Sequence, residues 1–473
     1  MAVKTIGNCI ARASVTAALL VLPISAQRNP ATGPLRSLKS NPRYFTDGSG
    51  KAIYLAGSHI WHNLQDTGHR LPASQDPPPV FDYTAYLNSL QSWNHNFIRL
   101  WRWEAPQWTD RQPEGVIKHS QPHPWERTGP GLAKDEKPKF DLTHFNTQYF
   151  DRLRERVVTA GERGIYVSIM LFEGWELQFT DAWVYHPFNA QNNVNGVDAD
   201  LGGDGSGLEY NSLADSPMGQ RVLGLQEAYL RKVIDTVNDL DNVLYEVCNE
   251  AGAYSTDWQY YVINYVKKYE SGKPKQHPVG MTFQYRGGTN AALYNSPADW
   301  ISPNPGSPEE NYRESPSSTH STKVVLNDTD HLWGHTGGDN VWVWKSFCRG
   351  LNVAFMEELL PSPTWQDSAR QGMGQTRRFA ERMDLASMAP VNNLSATGYC
   401  LANRGREYLV FQPGNKGEFT VNLTDAAGTF SVEWFNVNSD TAVAAKPITG
   451  GAVRTFTTPF PGPAALYLKL TAR

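Results

Sequence analysis

The chain is organised around one segment, Val243-Leu244-Tyr245-Glu246-Val247-Cys248-Asn249-Glu250-Ala251-Gly252. Its apolar start is typical of a short buried strand, which ends in Asn249 and Glu250 before a glycine-containing loop. Burying a carboxylate there is costly unless it has a partner or a task. In a β/α barrel this end of a strand carries the active site, so Glu250 is the first catalytic candidate. The alternative is a strand-end glutamate that forms a salt bridge to a loop.

Seven further apolar segments alternate with helical ones, which favours a parallel α/β sheet. With the segment above as the fourth, the predicted strands are 52–57, 96–103, 165–172, 278–285, 299–302, 323–327 and 352–356. Long insertions follow the strands, as they do in a barrel whose functional face is built from βα loops. The sequence therefore predicts a (β/α)8 TIM barrel over residues 27–389, with a hairpin at 44–51 that closes its bottom.

After residue 389 the pattern changes to short runs with period-two alternation, at 407–412, 418–423, 430–437 and 464–470. Turns rich in Gly, Pro, Asn and Ser separate these runs. We expect residues 390–473 to form a small all-β sandwich domain.

Residues 1–26 have the features of a cleaved signal peptide: an early positive charge at Lys4 and Arg12, a short apolar run, and a small residue at Ala26. The apolar run is too short to span a bilayer, and no later segment is long and apolar enough. We therefore expect a secreted or periplasmic protein without a membrane span. Cleavage would leave Cys248, Cys348 and Cys400, which allow at most one intramolecular disulfide.

The composition narrows the class of partner. The 43 basic and 47 acidic residues nearly balance, which argues against a nucleic-acid or polyanion binder. Aromatic residues make up 12% of the chain, including 15 Trp and 21 Tyr, and carbohydrate sites use such rings as stacking platforms. Large barrels also hold many aromatic residues in their cores, so the aromatic content alone does not identify a carbohydrate site. The chain has no Gly-x-Ser-x-Gly elbow, His-Glu-x-x-His motif or phosphate loop, and we predict a monomer without a cofactor.

The chain resembles clan-A glycoside hydrolases that carry a C-terminal β-sandwich, in particular apiosidase-like and cellulase-like secreted proteins. In these the last domain is often labelled collagen-binding. The resemblance covers nearly the whole mature chain and is carried by Tyr54-Leu55-Ala56-Gly57-Ser58-His59, Phe97-Ile98-Arg99-Leu100, Asn249-Glu250, and the segment from Gly398-Tyr399 to Phe411. It implies a glycoside hydrolase that cleaves polysaccharides or oligosaccharides. Asn249 would hold a sugar hydroxyl, and Glu250 would protonate the leaving oxygen.

The chain departs from this family at the second carboxylate. The resemblance implies a Glu nucleophile after the seventh strand, where this sequence reads Asn327-Asp328-Thr329-Asp330-His331. Glycoside hydrolysis needs two carboxyl groups that flank the bond, so Asp328 or Asp330 is the candidate partner of Glu250, in a retaining mechanism. The alternatives are a turn in which these Asp residues only cap a helix, or a strand count that is off by one, which makes Glu357 the partner.

Arg99, near the end of the second strand, is expected to keep the nucleophile ionised, although it could equally form a structural ion pair. Other polar and aromatic residues at strand ends are candidates for sugar contacts: His59, Trp61, Trp103, Glu173, Trp175, Asn249, Tyr285 and His331. Two other function classes stay open. One is a catalytically inactive carbohydrate-binding protein or adhesin on the same scaffold. The other is a metal-dependent hydrolase with ligands drawn from Asp328, Asp330, His331, His335, His59 and His62.

Overall fold

The computed structural model of the chain describes residues 29–69, 75–109, 116–306, 311–314, 322–357, 364–414 and 417–472. The predicted signal peptide at 1–26 lies outside the described residues. None of the helices within those ranges has the length and apolar character needed to cross a membrane.

Eight parallel strands form a nearly closed barrel, in which the second to eighth strands pair in chain order and the first pairs with the eighth. They are β1 Ala56–His59, β2 Phe97–Leu100, β3 Tyr166–Glu173, β4 Val243–Asn249, β5 Val279–Thr282, β6 Trp300–Ser302, β7 Val324–Asp328 and β8 Asn352–Met356. Strand β8 pairs with β1 in parallel. The barrel closes through Asn96, whose N–H donates to the Ala56 carbonyl and whose Oδ1 accepts from the Ala56 N–H, each at 2.9 Å. The predicted barrel is confirmed, and Val324–Asp328 is its seventh strand.

The bottom of the barrel is filled by large apolar side chains. Buried residues from the strands meet there, namely Leu55, Phe97, Tyr166, Leu244, Trp300, Val324, Leu326 and Ala354. Leu35 and Phe45 join this cluster from an N-terminal hairpin in which Arg36–Ser37 pairs with Phe45–Thr46. The predicted turn at 44–51 is closed by an antiparallel bridge between Phe45 and Ile53, and both residues pack into this cluster. Polar residues are left for the opposite, carboxyl end of the strands.

The main helices surround the barrel. They are α1 Tyr83–Ser92, α2 Thr147–Gly161, α3 Pro217–Val237, α4 Thr256–Glu270, α5 Asn290–Asn295, α6 Asn340–Cys348 and α7 Asp367–Arg382. Five of these seven helices begin after a side-chain cap. In α3, for example, Ser216 Oγ accepts from the Gly219 N–H at 3.0 Å directly before Pro217. Two short helices, Trp175–Phe179 and Thr329–Leu332, follow β3 and β7 and reach the functional face.

The insertion after β2 is more ordered than the sequence predicted. It contains a hairpin of Trp125–Leu132 with Pro138–Phe145, and the strands Gln107–Thr109 and Ile117–Gln121, which form an antiparallel sheet with Asp66–His69 from the loop after β1. Its Pro and Gly residues break the period-two pattern on which a strand prediction depends. Because Pro138–Phe145 is a strand, α2 begins at Thr147 after its cap Asn146 and not at residue 144.

The C-terminal region is an antiparallel β-structure. Its strands are β9 Ala389–Pro390, β10 Cys400–Asn403, β11 Glu407–Gln412, β12 Glu418–Asn422, β13 Thr429–Asn436, β14 Thr441–Thr449, β15 Val453–Thr457 and β16 Ala464–Ala472. A six-stranded sheet in the order β9-β10-β11-β16-β13-β14 faces the pair β12-β15, and both contribute to one apolar core. The other face of the large sheet packs on the barrel, where Phe411 and Phe435 contact Trp344 of α6.

Candidate active site

Arg99 is the centre of a buried ion network at the carboxyl ends of β2, β4 and β7. Its Nε and Nη2 donate to the two carboxylate oxygens of Glu246, at 2.8 and 2.6 Å. Its Nη1 donates to Asp330 at 2.6 Å and to Asp328 at 3.2 Å, and its Nη2 also reaches Asn249 Oδ1 at 2.8 Å. Arg99 is 1% exposed, so these charge-assisted hydrogen bonds are shielded from water. The predicted contact of Arg99 with the β7 carboxylates is present.

Asp328 is fully engaged in holding the end of β7. Both of its carboxylate oxygens lie 3.1 Å from His59 Nε2, and Oδ1 accepts from the Asp330 N–H at 3.0 Å. Asp328 is thus the N-cap of the short helix Thr329–Leu332. Burial opposes its ionisation, but His59 and Arg99 outweigh burial and lower the pKa of Asp328 below its usual value. The helix-capping role considered for these Asp residues belongs to Asp328.

Asp330 lies on the first turn of that helix and faces Glu250. Carboxylate oxygens of Asp330 and Glu250 lie within 4.8 Å of each other and of a ring nitrogen of His331. Asp330 is the more accessible of the two β7 candidates, since the side chain is 7% exposed, against 1% for Asp328. The structure therefore brings together Glu250 and Asp330.

Glu250 follows β4 in the left-handed backbone region, with φ of +48°. Its carbonyl accepts from Gln178 Nε2 at 2.6 Å. Burial, and then the negative charges of Asp330 and Glu173, raise the pKa of Glu250 well above its usual value. This environment favours the protonated form of the carboxyl group, which a general acid needs.

Glu173, a predicted sugar contact, holds the amide of Asn249. It is fully buried, and its Oε1 accepts from Asn249 Nδ2 at 3.0 Å and from the Trp175 N–H at 3.0 Å. Its Oε2 accepts from the Glu176 N–H at 2.7 Å. Burial raises the pKa of Glu173 to about 8 even though these hydrogen bonds oppose the shift. Glu173 and Arg99 together fix both ends of the Asn249 amide next to Glu250.

A second layer of buried charge supports Glu173. Glu104 accepts from the Glu173 N–H at 2.8 Å and from Arg102 at 3.1 Å. Glu176 accepts from the N–H groups of Glu104 and Ala105, at 3.1 and 2.8 Å. Burial, followed by the charges of Glu173 and Glu104, raises the pKa of Glu176 well above its usual value. These contacts make the β2–β3 edge of the site rigid.

Aromatic side chains line one side of this network. The ring of His59 stacks on Trp101, with centroids 5.9 Å apart and planes 14° apart. Trp101 also receives the Arg99 guanidinium, 5.1 Å from the ring centroid. Trp103 is 3% exposed and donates from Nε1 to the Trp61 carbonyl at 3.1 Å. His59 and Trp103 are therefore packed in the wall of the site, while Trp61, which is only partly buried, lies at its rim.

A second aromatic group lies beside Glu250. Trp175 stacks on Phe179 with centroids 5.7 Å apart, and Tyr285 meets Phe179 edge-on at 5.1 Å. Tyr285 is 45% exposed, so its ring is available to a ligand. We call Trp175, Phe179 and Tyr285 the aromatic ridge. Gln178, which precedes Phe179 in the chain, donates to the backbone carbonyl of Glu250. This contact places the aromatic ridge next to the segment that carries Glu250.

Among the remaining candidate residues, His331 lies beside Asp330, whereas Glu357 and His62 have partners elsewhere. His331 donates to or accepts from Ser302 Oγ through Nδ1 at 2.7 Å, and its Nε2 lies 3.6 Å from Asp330. Glu357 binds Arg370 of α7 at 2.8 Å. Among the other metal-ligand candidates, His62 contacts Thr67 at 3.3 Å, and the side chain of His335 lies outside the described residues.

Sequence reasoning did not assign Glu246, Trp101 or Ser302 to the site. Glu246 carried a usable signal, since a lone charged residue inside an apolar strand needs a buried partner. Cys248, Cys348 and Cys400 are buried free thiols, so the one disulfide that the sequence allowed among them is not formed.

Comparisons with known proteins identify the fold. Residues 110–286 match a family described as a domain of unknown function (DUF6298). No curated protein matches the chain. A solved structure titled "Glycoside hydrolase" is 12% identical with a TM-score of 0.57, over 94% of this chain and 99% of the other. A glycoside hydrolase family 5 protein from Bacteroides vulgatus ATCC 8482 is 13% identical with a TM-score of 0.58, over 93% and 94% of the two chains. Over nearly its whole length, the chain has the fold of these glycoside hydrolases.

Proposed function

We propose that this protein is a retaining glycoside hydrolase that cleaves O-glycosidic bonds in polysaccharides or oligosaccharides. The observation that carries the proposal is the separation of Glu250 and Asp330, whose carboxylate oxygens lie within 4.8 Å at the functional end of the barrel. Retaining enzymes hold their two carboxyl groups about 5–5.5 Å apart, whereas inverting enzymes need roughly 6.5–9.5 Å to admit a water molecule. The nearest pair of carboxylate oxygens lies below the inverting range, which supports the retaining mechanism.

Each carboxyl group has an environment suited to one role. Glu250, with its raised pKa, is the general acid that protonates the leaving oxygen. Asp330 is the nucleophile, and Arg99 Nη1 donates a charge-assisted hydrogen bond to its carboxylate at 2.6 Å. Its attack on the anomeric carbon forms a glycosyl–enzyme ester as the leaving group takes the Glu250 proton. Glu250 then removes a proton from water, which hydrolyses the ester.

Asp328 supports this chemistry without a direct role in it. Its oxygens are bound by His59, by Arg99 and by the Asp330 N–H. These contacts fix the helix turn that presents Asp330. Asp328 is therefore a positioning residue, and the shorter Asp side chain at 330 reaches the sugar because it begins beyond the strand, on the helix.

The aromatic ridge is proposed as the binding surface for the sugar on the leaving-group side. It adjoins the acid, and the exposed ring of Tyr285 offers a flat face of the kind that stacks on pyranose rings. We further propose that the protein acts outside the cytoplasm, on the basis of the signal-peptide features of residues 1–26.

The test begins with a panel of glycans and aryl glycosides and then removes the nucleophile. Asp330→Asn is expected to lose turnover of both substrate types by several orders of magnitude. Azide should restore turnover of an aryl glycoside and yield a glycosyl azide of inverted configuration, because azide replaces the missing carboxylate in a single displacement.

Glu357→Gln is the matched control, since that carboxylate binds Arg370 and not the Glu250 region. Full activity in Asp330→Asn together with an inactive Glu357→Gln would refute the assignment. Binding of glycans without turnover of any glycoside would instead support the carbohydrate-binding alternative.

A further inference from the structure

The side chains of Glu250, Asp330 and His331 form a ligand set of two carboxylates and one imidazole. One ligand atom from each lies within 4.8 Å of the other two. We propose that these three residues bind a divalent transition metal of the Zn²⁺ type, and that the bound metal inhibits the enzyme. The inhibitory part rests on the proposed glycosidase function, whereas the binding part does not.

The independent observation is the state of His331. This residue is 4% exposed, and its Nδ1 is bonded to Ser302 Oγ at 2.7 Å. Its Nε2 is buried and has no hydrogen-bond partner within the described part of the chain. That nitrogen faces Asp330, whose Oδ2 lies 3.6 Å away. When Ser302 accepts from Nδ1–H, the lone pair on Nε2 points towards the carboxylates, as in histidines that bind metals.

The charge around the trio favours a cation. Three carboxylates, those of Glu246, Asp328 and Asp330, share the single guanidinium of Arg99. Glu250 adds a fourth carboxyl group within 4.8 Å of Asp330. Even with Glu250 protonated, three carboxylates face one guanidinium, so a divalent ion would offset repulsion between acidic groups and displace the Glu250 proton on binding.

The geometry requires only a modest adjustment. Zinc binds carboxylate oxygen and imidazole nitrogen at about 2.0–2.2 Å, so tetrahedral ligand atoms lie roughly 3.3 Å apart. Side-chain rotation that draws the three atoms together by about 1.5 Å at most would form three protein ligands, and water would complete the site.

Metal binding at this place would block both catalytic roles. The metal would occupy the oxygen of Glu250 that must carry the proton and the oxygen of Asp330 that must attack the sugar. Inhibition by zinc should therefore be competitive with the glycoside.

The experiment is calorimetric titration of ZnCl₂ into the untagged, chelator-treated full-length protein. We expect one equivalent to bind to the wild type and at least a tenfold weaker affinity in His331→Ala. Ser302→Ala should also weaken binding, because loss of a group that orients a metal ligand typically costs about 10–100-fold. Asp204→Asn is the matched control, since Asp200, Asp204 and Glu209 form a separate acidic group in an exposed loop. Its affinity for the single equivalent should be unchanged.

Absence of binding to the wild type, or equal affinity in His331→Ala, would overturn the metal site. Binding lost in Asp204→Asn and kept in His331→Ala would overturn it as well. If His331→Ala does not fold, His331→Gln gives the same comparison. Zinc that binds through His331 but raises turnover would overturn the inhibitory part. Because calorimetry needs no substrate, the site is tested even if no glycoside is cleaved.

Discussion

Glu250 holds a backbone conformation that glutamate rarely adopts, with φ of +48°. A non-glycine residue there costs on the order of 1–3 kcal/mol and persists only where the surroundings impose it. Here the surroundings are the Gln178 bond to the Glu250 carbonyl and the Asn249 amide fixed between Arg99 and Glu173. The strain has a chemical consequence, since it turns the side chain from the line of β4 towards Asp330.

Glu250→Gln should separate substrates by their leaving groups. Removal of a positioned acid costs about 10²–10⁴-fold for natural glycosides, and less for activated aryl glycosides that need little protonation. The wild-type rate should fall as pH rises through the raised pKa of Glu250, and this fall should be absent from the variant. The measurement is kcat/KM against pH for a series of aryl leaving groups. Equal losses for good and poor leaving groups would contradict the acid role.

The same variant should be more stable than the wild type at neutral pH. The folded-state pKa of Glu250 is raised, so between the unfolded and folded pKa values the folded protein binds more protons. Its free energy of unfolding therefore decreases as pH rises through that interval. Glutamine does not titrate, so Glu250→Gln lacks this pH dependence. The free energy of unfolding of the variant, measured with urea, should therefore exceed that of the wild type by an amount that grows from acid to neutral pH. A variant that is less stable at every pH would mean that the Glu250 carboxyl group is held by favourable bonds.

At the level of secondary-structure elements, the site depends on a close approach between the ends of β3 and β4. Gly174 follows β3, and its N–H donates to the Asn249 carbonyl at 2.8 Å. A Cβ placed at Gly174 would lie 2.5 Å from the Cβ and 2.6 Å from the Cα of Ala251. Glycine is thus required here by space, because a side chain would push the loop that carries Glu250.

Gly174→Ala should reduce kcat with a smaller effect on KM. A displacement of about 1 Å at a catalytic group can cost on the order of 10²-fold. Gly224→Ala is the matched control, because this helical glycine in α3 has no neighbour within 4 Å of an added Cβ. That control should keep full activity and gain roughly 0.5–1 kcal/mol in free energy of unfolding. Normal kcat in Gly174→Ala would show that the loop adjusts without moving Glu250.

The sequence predicted strands and site residues best where a local pattern of residues determines them. The run 352–356 was predicted with the observed bounds of β8, and Arg99, Asn249 and Glu250 were placed correctly at strand ends. Glu246 was missed because strands buried on both faces lack the alternation that separates inward from outward residues. Predicted strand 96–103 ends at Leu100, since Trp101 and Trp103 leave the sheet to pack together. Such long-range packing has no local sequence signal.

In the whole molecule, the C-terminal sheet covers part of the barrel's helical shell. Trp344 of α6 contacts Phe411 and Phe435 at centroid distances of 5.8 and 5.6 Å. Phe379 of α7 contacts Phe435 at 5.2 Å and Tyr467 at 6.1 Å. The ion pairs at the rim, such as that of Arg382 with Glu433, are partly exposed and are worth little. The interface is therefore apolar at its centre, so the barrel depends on the sandwich for burial of these aromatic rings.

This interface predicts the behaviour of a chain that ends at Met388. The predicted boundary at 389/390 would divide β9, which pairs with β10, whereas Met388 retains the bond of its carbonyl to Asn41 at 2.7 Å. The shortened protein should lose several kcal/mol of unfolding free energy, because exposing each large aromatic side chain costs about 1.5–3 kcal/mol. Turnover per folded molecule should stay within a few-fold of the full chain, since none of the hydrogen bonds described for residues 391–472 reaches Arg99, Glu250 or Asp330.

Phe435→Ala in the full chain is the companion variant. It should lose about 3–5 kcal/mol with kcat/KM unchanged. The measurements are urea unfolding and kcat/KM on a small aryl glycoside, normalised to the folded fraction. A shortened chain that unfolds cooperatively yet has lost turnover by orders of magnitude would show that the sandwich supplies a wall or a group of the active site.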